Sequence, residues 1–172
     1  MAGCDISSGR VRPCKSSLGG NSTLYLYNEL VDPFTVVDGE ATAMSVALAE
    51  AWEFELEGDL NTFEQSMEAP RDTFSRVNTQ TATFVFKVPD AATNAQFNFM
   101  VAGFVQGVLK DRNGNYWAIG SDDGFDFTVV HSTGGAKADG NLYTITGVAT
   151  TGELAPILDS ATETAFLAVV VV

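Results

Sequence analysis

The sequence feature that most constrains the fold is the stretch from residue 81 to residue 121, where a strand pattern, a helix pattern and a hairpin pattern follow one another directly. Residues 81–88 are rich in β-branched and aromatic side chains, and Pro89 follows them. Because proline cannot donate to a sheet ladder, this strand should end there. The rest of the chain is expected to pack around this unit as further strands.

A helix is predicted next. Asp90 stands at the N-cap position, where its carboxylate can accept hydrogen bonds from the amides of the first turn. Residues 91–102 form the predicted helix, and Gly103 is a suitable stop. An apolar set at helical spacing supports the prediction and comprises Phe97, Met100, Val101 and Phe104.

The remaining elements are predicted to be strands. Asn113-Gly114 supplies the positive φ that a tight turn requires, so residues 104–111 and 115–120 should form a hairpin. Runs of β-branched or alternating residues predict further strands over residues 23–27, 34–37, 125–129 and 142–148. The chain is therefore predicted to be mainly β, with one α-helix.

Residues 41–57 fit two structures. Helix formers dominate the first part, and propensity alone predicts a helix. An alternation of period two favours one strand instead, with or without a bulge. The residues that share one parity are Met44, Val46, Leu48, Trp52, Phe54 and Leu56. The alternation decides the prediction in favour of a single strand.

Three segments are expected to make contacts beyond the core. Residues 1–20 are predicted to be an irregular N-terminal arm, with a single β-rich domain over residues 21–172. The arm carries Arg10, Arg12 and Lys15 against Asp5, so it either lies on an acidic neighbour or forms a disordered tail. Residues 58–76 are predicted to be a long loop with a functional or interaction role. Residues 166–172 are uncharged with high β-propensity, so they should pair in their own sheet or with a neighbouring subunit.

The formal charge of −13 excludes several functions. A strongly acidic surface repels phosphates, and no cluster of Lys and Arg offers counterion release, so specific nucleic-acid binding is disfavoured. The same charge disfavours binding to an anionic membrane surface.

No stretch approaches the roughly 20 apolar residues of a membrane span. Residues 1–13 lack the apolar region of a secretion signal.

The two cysteines, Cys4 and Cys14, leave two states open. A disulfide closing this small loop is sterically allowed, whereas a cytoplasmic protein would keep both thiols reduced. Reduced thiols are the preferred interpretation. A metal site would need further soft ligands, and His131 is the only histidine in the chain.

Candidate chemical groups are few. His131 lies at a predicted strand end, where a surface histidine is expected rather than a catalytic base. Asp122, Asp123 and Asp126 surround a glycine but lack the ligand spacing of an EF-hand, so a solvated acidic turn is expected. The alternating Glu53, Glu55 and Glu57 are explained by the wet face of a strand. The run Gly19-Gly20-Asn21-Ser22-Thr23 lacks the spacing and lysine of a phosphate loop. No catalytic, cofactor-binding or metal-binding residue is predicted, and the chain is not expected to be an enzyme.

Several segments, taken in order, resemble a known family. They are Cys4-Asp5-Ile6-Ser7-Ser8-Gly9-Arg10, Pro13-Cys14-Lys15, Gly19-Gly20, Trp52-Glu53-Phe54-Glu55-Leu56-Glu57-Gly58, Asn61-Thr62-Phe63-Glu64-Gln65, Asp111-Arg112-Asn113-Gly114-Asn115-Tyr116-Trp117-Ala118-Ile119-Gly120 and Gly140-Asn141-Leu142-Tyr143-Thr144-Ile145-Thr146-Gly147. Together they make the chain similar to the tail tube proteins and related virion structural proteins of tailed bacteriophages. The chain departs from them in its Val-rich C-terminus and in lacking a strongly charged helix.

The resemblance implies a β-sandwich or barrel with one flanking α-helix. It also implies a virion protein, assembled in the host cytoplasm, that forms stacked rings with an inner wall made of a continuous β-barrel. Its partners would be copies of itself and other tail or neck proteins. DNA would pass through the lumen without specific binding, since an acidic lining repels phosphate. The loop 58–76 and the arm 1–20 would bridge adjacent subunits. The alternatives are a capsid-decoration or head–tail connector protein, or a secreted ligand-binding β-sandwich with a Cys4–Cys14 bridge.

Overall fold

A computed structural model describes residues 9–11 and 15–171 of the chain. Within these residues the elements are β1 (Asn21–Asn28), β2 (Phe34–Val37), β3 (Glu40–Met44), β4 (Ala51–Glu55), β5 (Thr62–Glu68), β6 (Val77–Lys87), α1 (Ala91–Ala102), β7 (Val105–Asp111), β8 (Tyr116–Ile119), β9 (Asp126–Ser132), β10 (Leu142–Thr151), β11 (Ile157–Leu158), α2 (Ser160–Leu167) and β12 (Val170–Val171). The cysteine predictions lie outside the described residues.

The strands form two sheets. The eight-stranded sheet has the order β12-β4-β1-β7-β8-β11-β3-β2, and the four-stranded sheet has the order β5-β6-β10-β9. All neighbours in the four-stranded sheet are antiparallel. The prediction of a mainly β fold, a sandwich or barrel with a flanking helix, is confirmed, and the fold is the sandwich.

The main apolar core lies between the two sheets. The eight-stranded sheet contributes Leu24, Leu26 and Leu109, and the four-stranded sheet contributes Phe84 and Ile145. Helix α1 closes the side of this core, because its buried residues Phe97 and Met100 belong to the same cluster. The Phe97 ring meets the Tyr143 ring edge-on, with centroids 5.0 Å apart.

A second apolar cluster covers the other face of the eight-stranded sheet. Tyr25 of β1 meets Phe166 of α2 edge-on at 5.5 Å, and Phe34 and Leu48 pack in the same cluster. The eight-stranded sheet is therefore covered on both faces. This arrangement explains why four successive residues of β1, Leu24–Tyr27, are all buried.

Several local predictions are confirmed. β6 includes the strand predicted over residues 81–88 up to Lys87, and α1 has the predicted bounds. Asp90 caps α1, because its Oδ1 accepts the Thr93 backbone N–H at 2.9 Å. The predicted apolar set of the helix is partly wrong, since Val101 and Phe104 are exposed. The hairpin β7–β8 turns at Gly114 with φ +88°.

The prediction of a single strand over residues 41–57 is wrong. Two separate strands, β3 and β4, occupy different places in the eight-stranded sheet, and residues 45–50 turn between them. The Leu48 N–H donates to the Ser45 carbonyl at 3.1 Å, and Leu48 fills the second apolar cluster. Val46, which shares the predicted buried parity, is 98% exposed. The alternation of period two therefore extends by coincidence across two strands and the turn between them.

Two further predictions need correction. Residues 58–76 are not one long loop, because β5 lies within them and pairs with β6 along its whole length. Only residues 69–76 form the loop at the tip of this hairpin. The C-terminal run is not all strand, since Phe166 is buried in a second helix, α2. Among the described residues of this run, Val170 and Val171 pair in parallel with β4, so the predicted pairing within the chain's own sheet is present there. The described residues therefore contain two helices where one was predicted.

Buried amide side chains join loops to the sheets. Gln106 of β7 accepts the Leu30 N–H at 3.1 Å and donates to the carbonyls of Leu30 and Ser121, each at 3.1 Å. Gln80 of β6 accepts the Gly120 N–H at 2.8 Å. Backbone N–H and C=O groups left unpaired in a core are costly. These side-chain amides supply hydrogen bonds to backbone groups of loops that do not pair with a strand.

Candidate functional site

His131 lies at the surface in β9, an edge strand of the four-stranded sheet. Its Nε2 is 2.9 Å from Asn141 Oδ1, and its ring packs on Tyr143 with centroids 4.8 Å apart. The expected surface position is confirmed. The polar and aromatic partners that the structure gives this ring hold it against the sheet, and neither is a nucleophile or a carboxylate.

The acidic residues predicted to form a turn do so. Asp122 and Asp123 lie in the turn before β9, and Asp126 begins that strand. The Asp122 Oδ2 accepts the Gly152 N–H at 2.7 Å, which ties the turn to the end of β10. Over residues 9–11 and 15–171, no group of three or more His, Cys, Asp or Glu side chains is placed to hold a metal ion.

The glutamates of residues 53–57 do not share one set of neighbours. Glu57 lies 3.8 Å from Lys87 Nζ in an exposed ion pair. Glu53 lies across from Tyr25 in the β1–β4 ladder. Burial, with a smaller contribution from the Glu53 charge, raises the pKa of Tyr25 to about 12. Glu53 and Glu57 therefore have different neighbours, one on each of two separate contacts.

The glycine run before β1 has a structural role. The Gly20 carbonyl accepts the Arg112 N–H at 3.1 Å, and Gly20 has φ +98°. Leu18 is held by Asn113 through two bonds: the Leu18 N–H donates to Asn113 Oδ1 at 2.8 Å, and Asn113 Nδ2 donates to the Leu18 carbonyl at 2.9 Å. The chain therefore enters the fold tied to the tip of the β7–β8 hairpin.

The outer face of the four-stranded sheet is a regular polar surface. Along β6 the side chains at 78, 80, 82 and 84 are buried, so those at 79, 81 and 83 point the other way. The same alternation along β10 turns residues 144, 146 and 150 outward. The outward threonines are Thr62, Thr79, Thr81, Thr83, Thr128, Thr144, Thr146 and Thr150, all exposed or partly exposed.

One row of this face carries a threonine from every strand. Thr62 pairs with Thr83, Thr83 with Thr146, and Thr146 with Thr128. Glu64 and Glu68 of β5 and Asp126 of β9 add negative charge toward the two edges. Uncharged hydroxyls in the middle and carboxylates at the margins make a face that hydrates well and repels anions.

Comparison with known proteins gives no relative to set beside this geometry. No protein-family model, curated protein or solved structure matches the chain significantly. Across the part of the chain that the structure describes, no helix has the length and apolar character to cross a membrane.

An apolar groove lies between α1 and the β12–β4–β1 side of the eight-stranded sheet. Its volume is about 710 Å³, within the range of ligand and peptide sites. The apolar side chains that line it include Leu26, Trp52, Phe54, Phe99, Phe104 and Val171. Phe99 is 70% exposed and Phe104 is 58% exposed. The open face and the groove both escaped sequence reasoning, although the alternating threonines of residues 79–83 and 144–146 are a visible signal of the first.

Proposed function

We propose that this chain is a non-enzymatic virion structural protein that assembles into stacked rings, forming a tail tube through which DNA passes. The observation that carries the proposal is the exposed threonine and carboxylate face of the four-stranded sheet, whose two edge strands among the described residues are β5 and β9. The resemblance to tail tube proteins of tailed bacteriophages agrees with it.

The strand directions favour closure into a ring. The four strands alternate in direction, so β5 and β9 run antiparallel to each other. Copies related by rotation about an axis along the strands would therefore bring β5 of one copy beside β9 of the next in an antiparallel pair, continuing the existing pattern. Each copy would add four strands, about 19 Å of wall at the usual strand spacing.

The chemistry of the face suits a channel for DNA. The threonine hydroxyls are neutral and small, and the carboxylates of Glu64, Glu68 and Asp126 repel phosphates. Lys87, at the end of β6, is paired with Glu57. A wall of this kind offers no counterion release, so a duplex would slide along it without binding.

The tip of the β5–β6 hairpin supplies a contact toward a neighbour. Residues 69–76 are exposed, and Phe74 is 96% exposed with φ +51°. Arg76 is tied back to Glu153 at 3.0 Å, which fixes the base of the tip. A fully exposed aromatic side chain on a fixed loop is suited to insertion into an adjacent subunit.

Electron microscopy of the purified protein over a range of concentrations tests the proposal. Rings or tubes with a central channel are the expected result. A chain that stays monomeric at the highest concentration, and that is absent from purified particles of the virus encoding it, contradicts the proposal.

Two alternatives give different results. A capsid-decoration or head–tail connector protein would place antibody label on the head or neck of the particle and not along the tail. A secreted ligand-binding β-sandwich would show a Cys4–Cys14 bridge by non-reducing mass spectrometry and would bind one ligand saturably. The tail tube proposal expects label along the tail and no saturable ligand.

A further inference from the structure

We infer that the apolar groove between α1 and β4 receives the N-terminal segment, residues 9–17, of a second copy of this chain. The inference deepens the proposed function and rests on it, because it names the contact that joins one ring to the next. Three observations carry it: the charge of the groove, the charge of the segment, and the opposite positions of the two on the fold.

The groove is apolar, with one carboxylate at its rim. Glu29 lies among its lining residues, and no Lys or Arg does among those the structure describes. The exposed rings of Phe99 and Phe104 form one wall, and Trp52 forms part of the opposite side. Such a groove favours a segment that combines an apolar side chain with positive charge.

The N-terminal segment has that composition. Arg10, Arg12 and Lys15 make it the most basic part of an acidic chain, and Val11 is its apolar residue. Within the described residues, Val11 is 91% exposed, and no residue of 9–11 or 15–18 lines the groove of its own copy. The described residues of the segment, which include Arg10, Val11 and Lys15, are therefore available to another copy.

The positions of the segment and the groove suit end-to-end stacking. Asn113 holds Leu18 just beyond the last residue of β7, whereas Phe104 and Val105 line the groove at the start of β7. The seven residues of β7 separate the two by about 20 Å. A contact between unlike ends of two copies is heterologous and extends along an axis, as stacked rings require.

Photo-cross-linking of the full-length protein tests the inference. Val11→p-benzoylphenylalanine places the cross-linker on the segment, and a mixture of light and heavy-nitrogen copies separates links between copies from links within one. Mass spectrometry is expected to find links between copies that end on peptides of residues 92–105 or 50–56. Links within one copy, links to another surface, or no link overturn the inference.

Groove variants make the test specific. Phe99→Ser and Phe104→Ser should each lower the yield of the link between copies by about tenfold, because each removes a large apolar contact. Val46→Ser is the control, since Val46 is also an exposed apolar residue and lies outside the groove. Equal loss in the control overturns the inference.

Charge exchange gives a second, independent readout. Glu29→Lys should weaken the link, and Arg10→Glu with Lys15→Glu in the linking copy should restore it. Failure of restoration overturns the role given to charge. An apolar compound that co-purifies in the groove, seen by native mass spectrometry, also overturns the inference. Failure of the proposed function is distinguishable, because it appears in the same samples as an absence of rings by electron microscopy.

Discussion

Thr83 and Thr146 lie directly opposite each other in the central strand pair of the four-stranded sheet, and their row continues to Thr62 on one side and Thr128 on the other. Threonine combines a β-branched side chain, which favours strands, with a hydroxyl that stays hydrated. The row therefore lets one whole face of the sheet remain uncovered without weakening the strands that form it.

A lysine on the free edge should prevent ring formation. Val130 is exposed on the edge strand β9, and Val130→Lys would place a charge where a neighbouring strand is proposed to pair. Electron microscopy should show rings for the original chain and for the control Val46→Lys, and none for Val130→Lys. Thermal unfolding of the two variants should agree, and rings formed by Val130→Lys would contradict the use of this edge.

Reversing the charge of the open face should make assembled tubes retain DNA. Glu64→Lys, Glu68→Lys and Asp126→Lys together replace three negative charges with three positive ones. Each lysine that meets a phosphate releases counterions, so retention should fall steeply as salt rises. Retention of duplex DNA is measured by filter binding across a salt series. Equal behaviour of the original and triple-variant tubes would show that this face does not line the channel.

Removing the Gln106 amide should destabilise the fold strongly. Gln106→Leu keeps the approximate size but leaves the Leu30 N–H and the Leu30 and Ser121 carbonyls without their partner. The expected loss is about 2–4 kcal/mol in the free energy of unfolding, measured in urea. Gln96→Leu, at an exposed position of α1, is the control and should change stability by less than about 0.5 kcal/mol. Equal effects would contradict the assigned role of Gln106.

Adding a methyl group at Gly147 should overpack the core between the sheets. A Cβ there would lie 2.5 Å and 2.7 Å from two ring carbons of Phe127 and 3.0 Å from the ring of Phe125. These rings stack on each other at 5.3 Å, so they have little room to move. Gly147→Ala should cost about 1–3 kcal/mol by denaturant unfolding, whereas Gly19→Ala, with open space around it, should be nearly neutral.

Acid should weaken the caps of both helices. Hydrogen bonds from Thr93 lower the pKa of Asp90, and hydrogen bonds from Thr162 lower the pKa of Asp159. Because both folded-state pKa values lie below the ordinary value of 3.8, the stabilisation is fully present above that pH and is lost as pH falls through the lowered values. NMR titration of the Thr162 amide should report a midpoint below 3.8. Asp159→Asn should flatten the acid limb of unfolding.

The elements that the sequence predicts well are those marked by local chemistry. Pro89 ends β6, Asp90 caps α1, Gly103 ends it, and Asn113-Gly114 turns the next hairpin. Each of these signals acts within a few residues and needs no partner elsewhere in the chain. They could therefore be predicted without knowledge of the sheet order.

The features that could not be predicted depend on distant pairing. The period of two over residues 41–57 spans a turn, and only the insertion of Leu48 into the second apolar cluster distinguishes that turn from a continuing strand. The threonine row exists because Thr62 and Thr128, far apart in sequence, pair into the same sheet. The groove likewise needs α1, β1, β4 and β12 to be placed together.

The even number of alternating strands in the smaller sheet has a consequence for the diameter of an assembly. Every junction between copies would be an antiparallel strand pair, whatever the number of copies, because the two outer strands of the sheet, β5 and β9, run in opposite directions. The bore would then be set by the angle at which neighbouring copies meet, and side chains at the two outer strands could change that angle while the interior of each copy stays as it is.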